Sequence, residues 1–405
     1  MNWKTIMFLL ICLSLLPGCW DLSEIEEIGF VVAVAIDPLD ENDEYRDQYR
    51  QETGRPLPKE MFQLTNQVVI PGQIEEGGGE AGGQGEGPFF NIRTVGMTNF
   101  KANRNFTTRR SRQMNFEHLK VVIINEKLAR QGMMEHWIDF FARDHEMRRD
   151  NVVLISEGKG YEILEQKLPL ELMPALSIDM ITDNHARSHS IPPQKKIGEL
   201  INNVIDHESY VIPRIVMGER EDFKIAGAAV FLGSENKMQG WLGEYDVQGF
   251  GWVKGNVENE TVEAFYGPKQ IPFVYENDNT ESNITYKHEN GKDMFDIEIK
   301  AEGFFVENWL NGVELDSEET LLKLEEEVAS EIERLATNII EKTQNEFFTD
   351  IFQLHDVVRR KNYGYWESVK GNWDGEGGVF ANAEIRVNAK VKIRHYMTQA
   401  ELDKK

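Results

Sequence analysis

The first groups that could do chemistry are two thiols, Cys12 and Cys19, both within the stretch "LLICLSLLPGCWDL". A thiol can be a nucleophile, a metal ligand, half of a disulfide or a lipid attachment point, and its surroundings decide which. Lys4 and an apolar run from Ile6 to Leu16 precede Cys19, as in a secretory signal. This run is shorter than the roughly 20 apolar residues that cross a bilayer. We therefore expect an exported chain.

The residues just before Cys19 indicate what its thiol does. Leu-Pro-Gly-Cys resembles a bacterial lipobox, in which the cysteine receives a diacylglycerol and the peptide is cut before it. This predicts a signal peptide at residues 1–18, cleavage between Gly18 and Cys19, and a lipid on Cys19. Pro17 departs from the small residue usual at its position. An ordinary signal peptide with an incidental cysteine, or an uncleaved helical anchor, is the alternative.

Removal of residues 1–18 has a consequence for redox chemistry. Cys12 would leave with the signal, so the mature chain would have one cysteine and no internal disulfide. A chain of this length can bury enough apolar surface to fold without such a cross-link.

Other candidates for catalysis or ligand binding are weak. The sequence has no phosphate-binding loop, no Gly-x-Ser-x-Gly turn and no His-Glu-x-x-His helix. A possible metal pair with spacing four is formed by His185 and His189, and a mixed charge cluster by Asp144, His145 and Glu146. An acidic group without the glycine of a calcium loop contains Asp37, Asp40, Asp43 and Glu44. Four tryptophans could line a ligand groove: Trp241, Trp252, Trp366 and Trp373. We predict no catalytic residue, metal or cofactor, and assign the tryptophans to core or interface packing.

The charge balance limits the partners. The chain has 69 acidic and 44 basic residues, a net charge of −25. Such a surface repels phosphates, which excludes nucleic-acid binding and membrane attachment by adsorption of a basic surface. Attachment would need a hydrophobic element, and the two acyl chains of a lipidated Cys19 would suffice.

The hydrophobic pattern predicts an α+β protein with three domains after the signal peptide, each a mixed or antiparallel β-sheet with surrounding helices. The first, residues 19–160, begins with the strands "FVVAVAID" and "MFQLTNQVVI". A flexible loop rich in Gly and Glu follows at 71–88. The segment from Leu119 then predicts strand, helix and strand, a βαβ unit.

The other two domains are separated by a change in composition. Residues 161–255 begin with short helices and end with three strands. Residues 256–405 contain a turn at "ENDNTES", a hairpin around Asn290-Gly291 and a long helix capped by Asp316 or Ser317. A helix with "IFQLHDVVRR" and the alternating strand "AEIRVNAKVKIRHYM" follow. We expect the apolar stripe of the long helix to pack on its own sheet.

Five stretches, in order, resemble the Ger(x)C family, the C subunits of GerA-type germinant receptors of bacterial spores. They are "GCWD"; "FEHLKVVIINEKLARQGMMEHWIDFFARDHEMRRDN"; "IAGAAVF" with "MQGWL"; "QNEFFTDIF"; and "YWESVKGNW". The resemblance covers nearly the whole mature chain. After "DIF" the chain has Gln353-Leu354-His355, where the family is rich in Gly and Phe.

The resemblance implies a non-enzymatic lipoprotein needed for germination. Family members lie on the outer face of the spore's inner membrane, held by lipid, and assemble with membrane-embedded A and B subunits. A lipid-anchored solute-binding protein of a transporter is the alternative, but it needs two similar lobes, and the third segment does not resemble the first. An exported hydrolase would need a nucleophile or metal set that the sequence does not offer.

Overall fold

A computed structural model describes residue 3 and residues 28–40, 43–55, 61–70, 88–168, 170–218, 222–310 and 317–394. Gly18, Cys19, the rest of the predicted signal peptide apart from residue 3, and almost all of the Gly/Glu loop lie outside these residues. No helix in the described ranges is both long enough and apolar enough to cross a membrane.

The first ten strands form one mixed sheet. They are β1 (Ile28–Pro38), β2 (Phe62–Val69), β3 (Phe89–Gly96), β4 (Gln113–Asn115), β5 (Val121–Asn125), β6 (Val152–Glu157), β7 (Lys195–Lys196), β8 (Tyr210–Met217), β9 (Phe223–Leu232) and β10 (Lys237–Leu242). The main order is β10-β9-β8-β6-β5-β1-β2-β3, with β4 paired to β1 and β7 to β6. The central strands β8, β6, β5 and β1 are parallel. The antiparallel pairs β2–β3 and β9–β10 extend the sheet on either side.

Helices cover both faces of this sheet, which explains why its central strands are continuous apolar runs. The covering helices are α2 (Asn99–Phe106), α3 (Glu126–Ala129), α4 (Met134–Arg143), α5 (Gly160–Leu164), α6 (Pro174–Thr182) and α7 (Ile197–Asp206), and a polar helix, α1 (Glu44–Thr53), precedes them in the chain. One core contains Val122 and Ile124 of β5 with residues of α2, α3, α4 and α7. The other contains Val121 and Ile123 of the same strand with residues of α5 and α6.

A second sheet follows α8 (Glu244–Lys254). Its order is β11-β12-β13-β14, with β11 (Thr261–Tyr266), β12 (Ile271–Glu289), β13 (Lys292–Asn308) and β14 (Glu384–Arg394). The hairpin predicted at Asn290-Gly291 joins β12 and β13. The turn predicted at "ENDNTES" is wrong, because these residues lie inside β12.

A crossover of helices joins β13 to the parallel strand β14. It consists of α9 (Glu318–Lys342), α10 (Leu354–Lys361), α11 (Tyr363–Val369) and α12 (Val379–Asn382). Ser317 caps α9 through its side chain, and a π-helical turn, Thr343–Phe347, extends it. The apolar stripe of α9, with Val328 and Ile332 fully buried, packs on the second sheet as expected.

Helix α8 lies between the two sheets. Its buried Trp252 belongs to the same core as Val230 of β9, Phe295 of β13 and Ile332 of α9. An added Cβ at Gly249 would lie 2.9 Å from Cγ2 of Ile339, so α8 crosses α9 at very close range. The predicted boundary at residues 160 and 161 falls inside the first sheet, where β6 pairs with β8. How the chain divides into folding domains stays a prediction.

Candidate functional site: a polar junction between the two sheets

Two of the stretches that carry the family resemblance meet in space. "QNEFFTDIF" contributes Asp350, and "YWESVKGNW" contributes Trp366 and Trp373. They join residues that immediately precede β8 of the first sheet. We call the set Glu208, Ser209, Asp350, His355, Trp373 and Asp374 the polar junction.

Asp350 is the centre of the junction and is 1% exposed. Its Oδ1 accepts hydrogen bonds from the amides of Phe352 and Leu354, both at 3.1 Å. Its Oδ2 accepts from the amide of His355 at 3.0 Å and from Nε1 of Trp373 at 2.9 Å. The left-handed backbone at Gln353, φ 62°, turns these amides towards the carboxylate at the start of α10. Asp350 therefore fixes the turn between the π-helical segment and α10.

His355 gives Asp350 an ionic partner. Its Nδ1 lies 3.3 Å from Oδ2 of Asp350, and its ring stacks on Trp366 with centroids 5.5 Å apart. Burial lowers the pKa of His355, but the hydrogen bond and charge of Asp350 outweigh this and raise it. Burial likewise raises the pKa of Asp350, but His355 and the local amides lower it overall. Each partner thus favours the charged form of the other.

Asp374 connects this pair to the first sheet. Its Oδ1 accepts the amide hydrogen of Asp350 at 2.7 Å, and its Oδ2 accepts from Oγ of Ser209 at 2.7 Å. Oγ of Ser209 in turn accepts from the amide of Gly233 in the turn between β9 and β10. Burial and the neighbouring charge of Asp350 raise the pKa of Asp374 to about 6.

The network continues into the first sheet on a second side. Nε2 of His355 lies 3.9 Å from a carboxylate oxygen of Glu208. Glu208 accepts a hydrogen bond from Asn203 of α7, and Asn203 accepts one from Nζ of Lys195 in β7. Burial lowers the pKa of Lys195. Contacts of residues 195–209 with residues 350–374 therefore link the two sheets.

The geometry favours a mechanical role over catalysis. The carboxylate of Asp350 is occupied by backbone amides and Trp373, and the second ring nitrogen of His355 faces the carboxylates of Glu208 and Asp356. A general base instead needs a substrate proton or nucleophile within hydrogen-bond reach. Loss of one partner from such a buried network is costly, so the network holds the two sheets in one relative orientation.

In the structure each of the two metal candidates has a backbone carbonyl oxygen beside its ring. His189 is buried, and its Nε2 lies 3.0 Å from the carbonyl oxygen of Glu258. Nδ1 of His185 lies 3.2 Å from the carbonyl oxygen of Thr182. Within the described ranges, His, Cys, Asp and Glu nowhere form a group of three that could hold a metal ion.

The two charge clusters have structural partners. Asp144 ends α4 and accepts the amide hydrogen of Glu146. Asp37 is buried at the carboxyl end of β1, where it accepts from the amide of Gly160 at 2.7 Å and from Nδ2 of Asn125 at 3.3 Å. Burial raises the pKa of Asp37 to about 6 despite these hydrogen bonds.

The four tryptophans separate into two groups. Trp252 and Trp373 are buried in the core between the second sheet and its helices. Trp366 is half-buried against His355, and Nε1 of Trp241 donates to Glu126 at 3.1 Å. Packing and anchoring, as predicted, describe all four.

The junction segments can be recognised in the sequence, but nothing in their spacing predicts that Asp350, His355 and Asp374 form a cluster. One available signal was the lone carboxylate in the apolar stretch "FFTDIF". Such a residue is rarely buried without partners.

Two family models match the chain in succession. Residues 21–217 match the spore germination protein N-terminal domain, and residues 226–397 match the C-terminal model described as spore germination B3/GerAC like. The first match ends with β8 at residue 217 and the second begins inside β9 at residue 226, so the change from one model to the other falls within the first sheet.

Two known spore germination proteins are similar to this chain over nearly the full length of both sequences. Spore germination protein YndF of Bacillus subtilis (strain 168) is 29% identical, with 97% of this chain and 96% of that protein covered. Spore germination protein B3 of the same strain is 27% identical, with 98% of each covered. The crystal structure of the GerBC protein has the same fold, with a TM-score of 0.58, 22% identity, and 82% of this chain and 93% of that chain covered.

Proposed function

The chain belongs to the Ger(x)C family of spore germination receptor C subunits, and from this we propose that it is the lipid-anchored C subunit of a nutrient germinant receptor. The observation that carries the proposal is the succession of two family models over residues 21–217 and 226–397. The first match begins two positions after Cys19, where the mature chain would start. The protein then acts by assembly with A and B membrane subunits and catalyses no reaction.

Lipidation of Cys19 would hold the protein at the outer face of the spore's inner membrane. Two acyl chains give stable attachment where one is marginal. Attachment raises the local concentration of the protein around the integral subunits, which favours their assembly without requiring a large interface. The polar junction keeps both sheets in one body during this assembly.

The test of anchoring is Cys19→Ala, with Cys12→Ala as the matched control, in cells that lack the integral A and B subunits. We expect the Cys19 variant to leave the membrane fraction and the Cys12 variant to stay. The same fractions labelled with radioactive palmitate should show lipid on the wild type and the Cys12 variant only. A wild type without palmitate label, or a Cys19 variant that keeps the label, would refute lipid anchoring at Cys19.

The test of assembly is affinity recovery of the tagged protein from detergent-solubilised spore membranes. We expect A-type and B-type integral subunits to copurify. Recovery of a permease and an ATPase would instead support the solute-binding alternative. Deletion of the gene should abolish germination in response to a nutrient and leave the response to non-nutrient triggers intact.

A further inference from the structure

One part of the surface contrasts with the acidity of the chain. Between Pro88 and Phe116 the sequence has six basic residues and no Asp or Glu, although 69 of the 405 residues are acidic. Three of the basic residues, Arg104, Arg110 and Arg112, are exposed and line one open cavity of 440 Å³. We call these three residues the arginine patch.

The guanidinium groups of the patch have no carboxylate within ion-pairing distance in the described part of the chain. Arg104 lies over the ring of Phe100, and Arg110 lies over the ring of Phe90. Phe100 is 54% exposed and lines the same cavity. Nη1 of Arg110 donates to the carbonyl oxygen of Arg109 at 3.4 Å. The patch therefore combines guanidinium groups that have no carboxylate partner with exposed aromatic surface, a combination suited to a membrane interface.

Two carboxylates also line this cavity, but both have other partners. Glu146 accepts the amide hydrogen of Phe116 at 3.1 Å, and Asp144 accepts that of Glu146 at 3.0 Å. A second cavity, of 410 Å³, shares Arg110 and Arg112 and is otherwise lined mainly by apolar residues. Arg110 and Arg112 thus line two adjoining grooves.

The strand register places the patch beside the route to the predicted anchor. Gln113, which follows Arg112, pairs with Ile28 at the start of β1. Ile28 is nine positions after Cys19, so an extended chain between them spans at most about 32 Å. A globular body of this size has a radius of gyration of about 21 Å and is roughly 55 Å across. The anchor therefore directs the edge of the protein that carries the patch, and not the opposite edge, towards the bilayer.

We propose that the arginine patch is a membrane-facing site that binds the phosphates of anionic lipid headgroups and orients the anchored protein. The proposal rests on the proposed function, because the anchor at Cys19 defines which edge faces the bilayer. Guanidinium groups pair well with phosphate through two parallel hydrogen bonds. The net charge of −25 does not prevent this, since fields in physiological salt decay over about 8 Å and only charges at the surface of the bilayer count.

The test uses the chain from residue 19 onward, made without lipid, whose one cysteine is Cys19. The measured quantity is the rate at which this thiol couples to a maleimide-bearing lipid in vesicles. One set of vesicles is phosphatidylcholine, and in the other about a third of the lipid is phosphatidylglycerol, which supplies the anionic surface. A basic residue near such a surface favours association by about fivefold. With three arginines we expect anionic vesicles to accelerate coupling by at least about tenfold, an effect that high salt removes.

The decisive variant replaces Arg104, Arg110 and Arg112 by Gln. Anionic lipid should then slow the coupling, because the remaining charge is repelled. The matched control replaces Lys269, Arg360 and Lys361 by Gln, three exposed cations of the second sheet and its helices, for the same loss of charge. Circular dichroism should show both variants folded, and the control should keep the acceleration.

Three results would overturn the proposal. The first is a wild-type protein that couples no faster to anionic vesicles, and the second is a control that loses the acceleration as fully as the arginine variant. The third is an arginine variant that no longer copurifies with the integral subunits but couples to both kinds of vesicle at the wild-type rates. That result would identify an acidic protein segment as the partner. The maleimide supplies the anchor chemically, so failure of lipidation in cells would refute the proposed function without affecting this measurement.

Discussion

Replacement of Asp350 by Asn tests whether the polar junction holds the two sheets together. The change removes one charge and almost no volume. In the wild type, both carboxylate oxygens accept hydrogen bonds, Oδ1 from two backbone amides and Oδ2 from His355 and Trp373. An asparagine keeps one acceptor oxygen and offers an NH2 group to the donors on the other side.

The expected cost follows from the donors that lose their acceptor. If the amide oxygen of Asn faces His355 and Trp373, the amides of Phe352 and Leu354 have no partner. A buried donor without a partner costs about 1–3 kcal/mol, so the two together cost about 2–6 kcal/mol, and we expect about 4. This is a large part of the roughly 5–15 kcal/mol that stabilises a folded domain.

The assay is equilibrium unfolding in urea, followed by circular dichroism and by tryptophan fluorescence. Trp373 donates directly to Asp350, so its fluorescence reports on the junction. The control is Asp139→Asn, the same chemical change in an exposed ion pair with Arg143, where we expect about 0–1 kcal/mol. Equal effects of the two substitutions would refute the role assigned to Asp350.

Three further predictions concern the packing between the sheets and the charge of a buried group. Gly249→Ala should lower the free energy of unfolding in urea by about 3 kcal/mol, because the added Cβ would overlap Leu335 of α9. The control Gly364→Ala, with open space around it, should be neutral or stabilising. Equal effects of the two substitutions would contradict the close helix crossing. Ile332→Ala, at a fully buried position, should lower the free energy of unfolding by about 2–5 kcal/mol. Leu322→Ala, at a position that is 53% exposed, should lower it by about 0.5 kcal/mol or less. The reverse order would mean that α9 buries another face. Burial raises the pKa of Asp37 from 3.8 in the unfolded chain to about 6 in the folded protein. The contribution of Asp37 to the free energy of unfolding is therefore complete below pH 3.8 and declines as the pH rises through about 6. The total decline is about 3 kcal/mol. Asp37→Asn should remove this part of the pH dependence of the urea midpoint, and an unchanged profile would show that Asp37 does not titrate there.

The central strands of the first sheet could be predicted because both faces of each strand are buried in apolar surroundings. Strand β5 is buried on both faces, so its sequence is an uninterrupted apolar run with β-branched residues. Helix α9 could also be predicted, since one of its faces is buried and the other is acidic and exposed. In both cases burial determines the pattern of apolar and polar residues along the sequence.

Strand β12 shows where that reasoning fails. The polar stretch at 276–282 predicted a turn because such residues normally need water. In the structure the buried Asn277 donates to the carbonyl oxygen of Val257 at 2.8 Å and to Thr280 at 2.8 Å, and accepts from the hydroxyl of Tyr275. The buried amide of Asn277 is thus satisfied inside the protein, in part by Val257, a residue 20 positions away that a local pattern does not identify.

The polar junction could not be predicted as a site for a related reason. Ser209 and Asp374 are separated by 165 positions, yet their side chains are 2.7 Å apart. A pattern within either segment contains no information about this contact. The resemblance to the family identified both segments that supply Asp350 and Trp373, but only the fold shows what they share.

The positions of the two surfaces in the strand order have a consequence for assembly. The arginine patch borders β1 and β4, whereas the second sheet and its helices pack on β8, β9 and β10. Neighbouring strands lie about 4.8 Å apart, so the three to five intervals from β1 to β8 and β10 separate these regions by about 14–24 Å along the sheet. With the patch against the headgroups, the second sheet is displaced sideways or outward from the anchor by that distance. The polar junction links the second sheet to the first, so under the proposed function it would hold the second sheet at this distance from the anchor.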